Sequence, residues 1–209
     1  MPRFDAVACV DAIEREKITV IGLVPTIARM LMSEIEKRPD ACRTLRKMVA
    51  TGEAFPVEIK QRLAKVLPDL ELYSFYAQTE AGFITCLRPE EQLTHPASCG
   101  RPVPGVELRI VDAARNDVAI GETGEILMRC GGHGLTAFHG DWLITGDVGR
   151  LDEDGYLYFV DRAKDMIVSG GLNIYSREVE ETLEAHPAVD EAAVVPMPDP
   201  EFGESVCAF

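Results

Sequence analysis

The chain is 209 residues long, with 21 lysines and arginines against 35 aspartates and glutamates, for a formal net charge of -14. So acidic a balance argues against a nucleic-acid partner and against an anionic membrane surface, because binding to either depends on Lys and Arg displacing counterions. A content of 46% hydrophobic and 27% charged residues is that of an ordinary globular chain, long enough for one large domain or for one domain and part of another.

From the N-terminus, Ala6 to Lys17 places Val7, Val10 and Ile13 on one face with Asp11, Glu14, Arg15 and Glu16 opposite, which predicts an amphipathic helix. Ile18-Thr19-Val20-Ile21 is a continuous β-branched run and predicts a strand buried on both faces. Pro25 opens a second helix, Thr26 to Lys37, with Ile27, Met30, Leu31 and Ile35 inward. Leu45 to Ala50 predicts a strand, Pro56 to Val66 a helix and Leu70 to Phe75 another strand. The alternation predicts a parallel sheet flanked by helices, with ligands beyond the carboxyl ends of the strands.

Two segments fall at such ends. Thr51-Gly52-Glu53-Ala54 offers a glycine that lets a flat ligand approach the backbone, and Tyr76-Ala77-Gln78-Thr79-Glu80 carries an aromatic ring, a hydroxyl and a carboxylate. Read alone, Thr79 is a helix cap, Glu80 a favourable first-turn acid and Gly52 a turn.

From Cys99 onward, short apolar runs alternate with Gly and Pro, which predicts a small antiparallel barrel or sheet beside the parallel one. Asp152-Glu153-Asp154 reads as a solvated hairpin turn. Thr145-Gly146-Asp147 reads as a tight turn holding a carboxylate, and Asp161-Arg162-Ala163-Lys164-Asp165 as a charged link. Beyond it, Met166 to Ser169 predicts a strand, Gly170-Gly171 a tight turn, Ser176 to Ala185 a helix capped by Ser176, and Val189 to Val195 a strand.

The six cysteines are scattered and form no C-x-x-C pair, and His95, His133, His139 and His186 have no triad-like or metal-like spacing. No apolar run reaches membrane-span length, and MPRFDAVACV lacks the blocks of a signal peptide, so a cytoplasmic setting is expected.

The order Thr145-Gly146-Asp147, Gly155-Tyr156-Leu157, Arg162 to Asp165, Gly170-Gly171-Leu172-Asn173-Ile174 and Glu178-Val179-Glu180 is more specific than any one piece. It resembles the adenylate-forming superfamily of acyl-CoA synthetases, luciferases and peptide-synthetase adenylation domains. The resemblance implies an α/β chain with residues 1–161 in the large AMP-binding domain, 162–165 as hinge and 166–209 as the start of a small α+β C-terminal domain. It implies ATP or AMP, Mg²⁺, CoA and a carboxylic acid as ligands; homo-oligomerisation is left open.

By the same resemblance Gly52, Glu53 and Ala54 lie against adenine and Tyr76 stacks on it. Thr79 bonds the α-phosphate and Glu80 binds Mg²⁺ on the phosphates. Ala77, where glycine is usual, and Gln78 belong to the nucleotide-binding set, and the Ala77 methyl crowds the acyl-pocket floor next to the adenylate. Asp147 holds the ribose hydroxyls, supported by Arg162; Lys164 is the hinge; Gly170 and Gly171 line the pantetheine tunnel. Leu172 and Ser176 depart from the family's usual acidic residue and proline. Neither the family's phosphate loop ending in Lys-Gly nor its late catalytic lysine is found, so this polypeptide alone is expected to be nearly inactive. The alternatives are a non-catalytic nucleotide-binding remnant and a luciferase-like or peptide-synthetase branch.

Overall fold

The structure is a computed structural model that describes residues 4–52, 55–130, 138–139, 141–189 and 191–209. Among them the chain forms two compact units. The first takes the chain up to Glu107 together with Gly155–Tyr158, and the second contains Leu108–Arg129 and Phe159–Phe209.

In the first unit a sheet runs β1 (Val20–Leu23), β2 (Lys47–Ala50), β3 (Glu71–Gln78), β4 (Gly82–Leu87) and β5 (Arg101–Pro102), in that spatial order. The pairs β1/β2 and β2/β3 are parallel; β3/β4 and β4/β5 are antiparallel. The parallel part is threaded by α1 (Ala6–Glu16), α2 (Pro25–Lys37) and α3 (Val57–Val66). Helix α1 starts because the Asp5 carboxylate accepts from the Ala8 N–H at 3.1 Å, and it ends on Lys17 in the left-handed region. Val10, Ile13, Leu31, Met32 and Ile35 from the helices meet Met48, Ala50 and Leu72 from one face of the sheet in a single core.

Two expectations need correction here. Strand β1 is an edge strand with Val20 54% exposed, so its β-branched run does not mark burial on both faces. In α2, Leu31 and Ile35 face inward as expected, joined by Ala28 and Met32, and Ile27 packs partly buried against the same core, whereas Met30 faces outward.

The larger sheet of the second unit involves β6 (Val106–Val111), β7 (Gly124–Cys130), β8 (Phe138–His139), β9 (Trp142–Leu151) and β10 (Leu157–Arg162). Its order is β10-β9-β7-β6 with β8 paired to β9, an open sheet among the described residues and not a closed barrel. Asp152 to Asp154 form the turn after β9, the Asp154 N–H donating to Asp152 Oδ1 at 3.1 Å.

A second antiparallel sheet in this unit is built from β11 (Ile167–Ser169), β12 (Leu172–Ile174), β13 (Val194–Asp199) and β14 (Gly203–Ala208), in the order β12-β11-β14-β13. Helix α4 (Ser176–Glu184) is tied to it by the Val194 N–H donating to Glu180 Oε1 at 2.8 Å. The last strand expected over 189–195 therefore begins later, at Val194.

Candidate functional site

In the first unit the candidate residues sit at the carboxyl ends of β2 and β3. Ala50 pairs with Ser74, so Gly52 and Tyr76 each lie two residues further along neighbouring parallel strands. Gly52 has φ +102, a conformation that favours glycine, whereas a Cβ there would make only ordinary contact with Val24 Cγ1 at 3.4 Å. Glu53 and Ala54 lie outside the described residues.

Strand β3 is longer than its apolar pattern predicts and carries Tyr76, Ala77 and Gln78 within it. Tyr76 pairs with Thr85 and Ala77 with Phe83, leaving Ile84 as the extra residue of a β-bulge exactly where the candidate motif begins. The Gln78 amide lies 3.4 Å from the Tyr76 hydroxyl. Thr79 and Glu80 are exposed in the turn to β4, closed by the Ala81 N–H donating to Gln78 O at 3.2 Å. A strand follows them, so the helix-cap alternative for Thr79 and Glu80 is excluded.

Side chains alternate across a strand, so Phe75 faces away from Tyr76. A cleft of 550 Å³ lies on that other side, between Phe75, Arg88, Glu91, Arg101 and Val103. Glu91 is buried and accepts from the Arg88 N–H at 2.8 Å, the Arg101 guanidinium at 2.8 Å and the Tyr156 hydroxyl at 3.0 Å. Burial pushes its carboxyl up, but these donors more than offset that and hold it below the usual range. His95 stacks on the Tyr156 ring at 3.8 Å, the packing role expected of it.

In the second unit, Asp147 lies inside strand β9, not in a turn between strands. Glu125 pairs with Val148 and Leu127 with Ile144, so Ile126 of β7 faces Thr145, Gly146 and Asp147 together. The bulge is held from within. The Thr145 hydroxyl donates to Ile126 O at 2.7 Å and accepts from the Asp147 N–H at 3.1 Å, while Gly146 supplies φ +71. The Ala163 N–H donates to Gly146 O at 2.9 Å, bringing the end of β10 to the bulge. Asp147 is 2% exposed, and the Nε of the exposed Arg162 lies 3.3 Å from its Oδ1. The structure thus brings together two of the residues that the sequence singles out.

Lys164 is exposed in the turn after β10, which the Asp165 N–H closes by donating to Arg162 O at 3.0 Å. Gly170 and Gly171, at φ +57 and +84, are the two central residues of a hairpin flanked by the Ser169–Leu172 pair, the tight turn that the local sequence predicts. The Gly170 N–H donates to Phe202 O at 2.9 Å.

Ser176 does not cap α4. The N-cap is Tyr175, and Ser176 is the first helical residue, its hydroxyl donating to Asp161 Oδ2 at 2.9 Å. Sequence reasoning missed Asp161 as the acceptor at this helix end, since a partner 15 positions away leaves no local signal. Among the described residues no group of three or more His, Cys, Asp or Glu forms a metal cage. Glu80 alone offers an exposed hard oxygen ligand beside the Thr79 hydroxyl.

The sequence model of the AMP-binding enzyme family matches residues 1–137, and that of the AMP-binding enzyme C-terminal domain matches residues 178–209. The chain belongs to the AMP-binding, adenylate-forming enzyme family. It is 39% identical over 198 residues to the uncharacterized acyl–CoA ligase YhfT of Bacillus subtilis (strain 168), covering 93% of this chain and 40% of that protein. It is 38% identical over 224 residues to the mitochondrial acyl-coenzyme A synthetase ACSM4 of Rattus norvegicus, covering 100% of this chain and 38% of that protein. The chain therefore spans about two fifths of the length of these relatives. Among solved structures, the amide bond synthetase McbA from Marinactinospora thermotolerans superposes with a TM-score of 0.87 at 33% identity, over 100% of this chain and 44% of that one. The o-succinylbenzoate CoA synthetase MenE of Bacillus subtilis, in complex with its acyl-adenylate intermediate, gives 0.85 at 30% identity, over 99% and 44%.

Proposed function

We propose that this chain carries nucleotide-recognition residues of an ATP-dependent acid–CoA ligase. The observation that carries the reading is the β9 bulge, which buries Asp147 and sets Arg162 3.3 Å from it. An aspartate fixed by its own backbone is an acceptor for both hydroxyls of a ribose, and the exposed Arg162 fork supplies donors beside it. The names of the relatives, acyl–CoA ligase and acyl-coenzyme A synthetase, and the acyl-adenylate bound to MenE support the same reading.

In the reaction, a carboxylate oxygen attacks the α-phosphorus of ATP, the bond to the bridging oxygen breaks, and pyrophosphate leaves. The CoA thiol then loses its proton and attacks the acyl carbon, releasing AMP. Tyr76 stacks on adenine beside Gly52, Glu53 and Ala54; Thr79 donates its hydroxyl to the α-phosphate; Ala77 and Gln78 border the acyl group. Glu80 would offer Mg²⁺ a hard oxygen ligand. When bound, that ion neutralises charge developing on the phosphates. Gly170 and Gly171 flank the pantetheine arm, and residues 1–161, 162–165 and 166–209 are the large-domain part, the hinge at Lys164 and the C-terminal part.

No described helix is long and apolar enough to cross a membrane, and a cytoplasmic location is proposed with the rest. The chain spans about two fifths of its relatives, and binding and turnover part company in it. AMP binds to this polypeptide, whereas ATP–pyrophosphate exchange is nearly absent. Exchange at a rate typical of intact ligases refutes the second half, and no heat on titrating AMP or an acyl-AMP analogue refutes the first.

A further inference from the structure

The carboxylate of Asp161 is 5% exposed and stands between the end of β10 and the start of α4. Its Oδ1 accepts from the Arg162 N–H at 2.7 Å. Its Oδ2 accepts from the Ser176 hydroxyl at 2.9 Å and from the Arg177 N–H at 3.3 Å. Ser176 is itself buried. Arg177 adds a cation–π contact, its guanidinium 5.4 Å from the centroid of the Phe159 ring on β10. These contacts span the exposed turn at Lys164, so the chain is pinned on both sides of a link that is itself solvated.

On the β10 side the pinning is independent, because the Ala163 N–H is bound to Gly146 O. On the far side, Asp161 takes the place of the capping side chain that Tyr175 lacks, meeting orphan donors and the positive end of the helix dipole together.

We infer that Asp161 is a positioning residue: it clasps the C-terminal segment Ile167–Phe209 to the end of β10 through Ser176 and Arg177, and the same carboxylate holds the backbone of Arg162. Loss of these bonds would leave the already solvated link without its anchor on the α4 side. The link between Asp161 and Arg162 ties the clasp to the nucleotide site, and only that consequence rests on the ligase reading.

Limited trypsin digestion of the full chain tests the clasp without any nucleotide. Arg162 and Lys164 are exposed cleavage points in and beside the link, and Lys17, at the end of α1, is the internal reference. Asp161→Asn removes charge and an acceptor at constant volume, Ser176→Ala removes one donor, and Ser176→Thr keeps the hydroxyl. Cleavage after Arg162 and Lys164 is expected to rise about fivefold or more in the first two variants, as loss of a cap or a charge-assisted bond implies, and to stay near the wild-type rate in Ser176→Thr. Cleavage at Lys17 is expected to stay unchanged in all three. Unchanged cleavage at the link overturns the inference, and so does an equal rise at Lys17 or at Arg115, the latter in the loop between β6 and β7 of the same unit as the link, which marks general destabilisation. A selective rise in the variants together with a wild-type chain that fails to bind AMP sinks the ligase reading and leaves the clasp standing.

Discussion

Replacing Lys60 with methionine removes a charge that the first unit holds at a cost. Lys60 projects from α3 with 2% of its surface exposed, and its ammonium donates to Pro96 O at 2.7 Å. Burial pushes its pKa down to about 8, against a smaller opposing effect of Cys99. An ordinary lysine titrates near ~10.4, and the gap corresponds to about 3 kcal/mol against the folded state wherever both forms carry the proton. Below pH of about 8 that cost is fully present. Between there and ~10.4 the folded chain has released the proton while the unfolded chain keeps it, so stability rises with pH, and above that range the cost is gone. Lys60→Met lacks this titration, so its stability relative to wild type should fall by about 3 kcal/mol from about pH 7 to about pH 11. The thiols of Cys9, Cys42 and Cys86 and the Tyr175 hydroxyl, which burial pushes up, are common to both chains and drop out of the comparison. Urea unfolding should be followed by far-UV circular dichroism, because Trp142 reports on the other unit. A wild-type-to-variant difference that stays flat with pH refutes the burial argument.

Three glycines separate steric from conformational demands. A Cβ on Gly100 would stand 2.0 Å from the Cys86 carbonyl carbon and one on Gly124 2.4 Å from Val111 O, so Gly100→Ala and Gly124→Ala should each cost about 3 kcal/mol or more, or prevent folding, read as the urea midpoint or soluble yield. Gly146→Ala meets nothing within 4 Å and should cost only about 1 kcal/mol, from its φ of +71. Thr145→Val removes the hydroxyl that holds the bulge and should lower stability by about 1 to 2 kcal/mol and weaken AMP binding, measured by unfolding and calorimetry. The carboxyl of Glu91 is held below its ordinary range, so its contribution is present at neutral pH and lost as pH falls through the folded-state value. Glu91→Gln should therefore flatten the acid side of the stability profile.

Periodicity made α1, α2, α3, β2 and β3 legible, because each packs an apolar face into one core. It failed at β1 and Met30, where an apolar side chain at a sheet edge or on an outer helix face looks the same in sequence as a buried one. Thr145-Gly146-Asp147 was legible as a special backbone conformation, but not as a bulge, since a strand interrupted by glycine and a turn share the same residues. The pairing of Asp147 with Arg162 followed from motif order alone. The contacts of Asp161 with α4 and of Glu91 with Arg101 and Tyr156 were not legible, because each joins residues that only the fold brings together.

Calorimetric titration of AMP into wild type, Tyr76→Ala and Asp147→Asn tests the nucleotide reading most directly. Saturable one-to-one binding in wild type, weakened about tenfold or more in each variant, as loss of a base stack or of a charged hydrogen bond requires, is the predicted result. Wild-type protein that takes up no AMP, or variants that bind it as tightly as wild type, would contradict it.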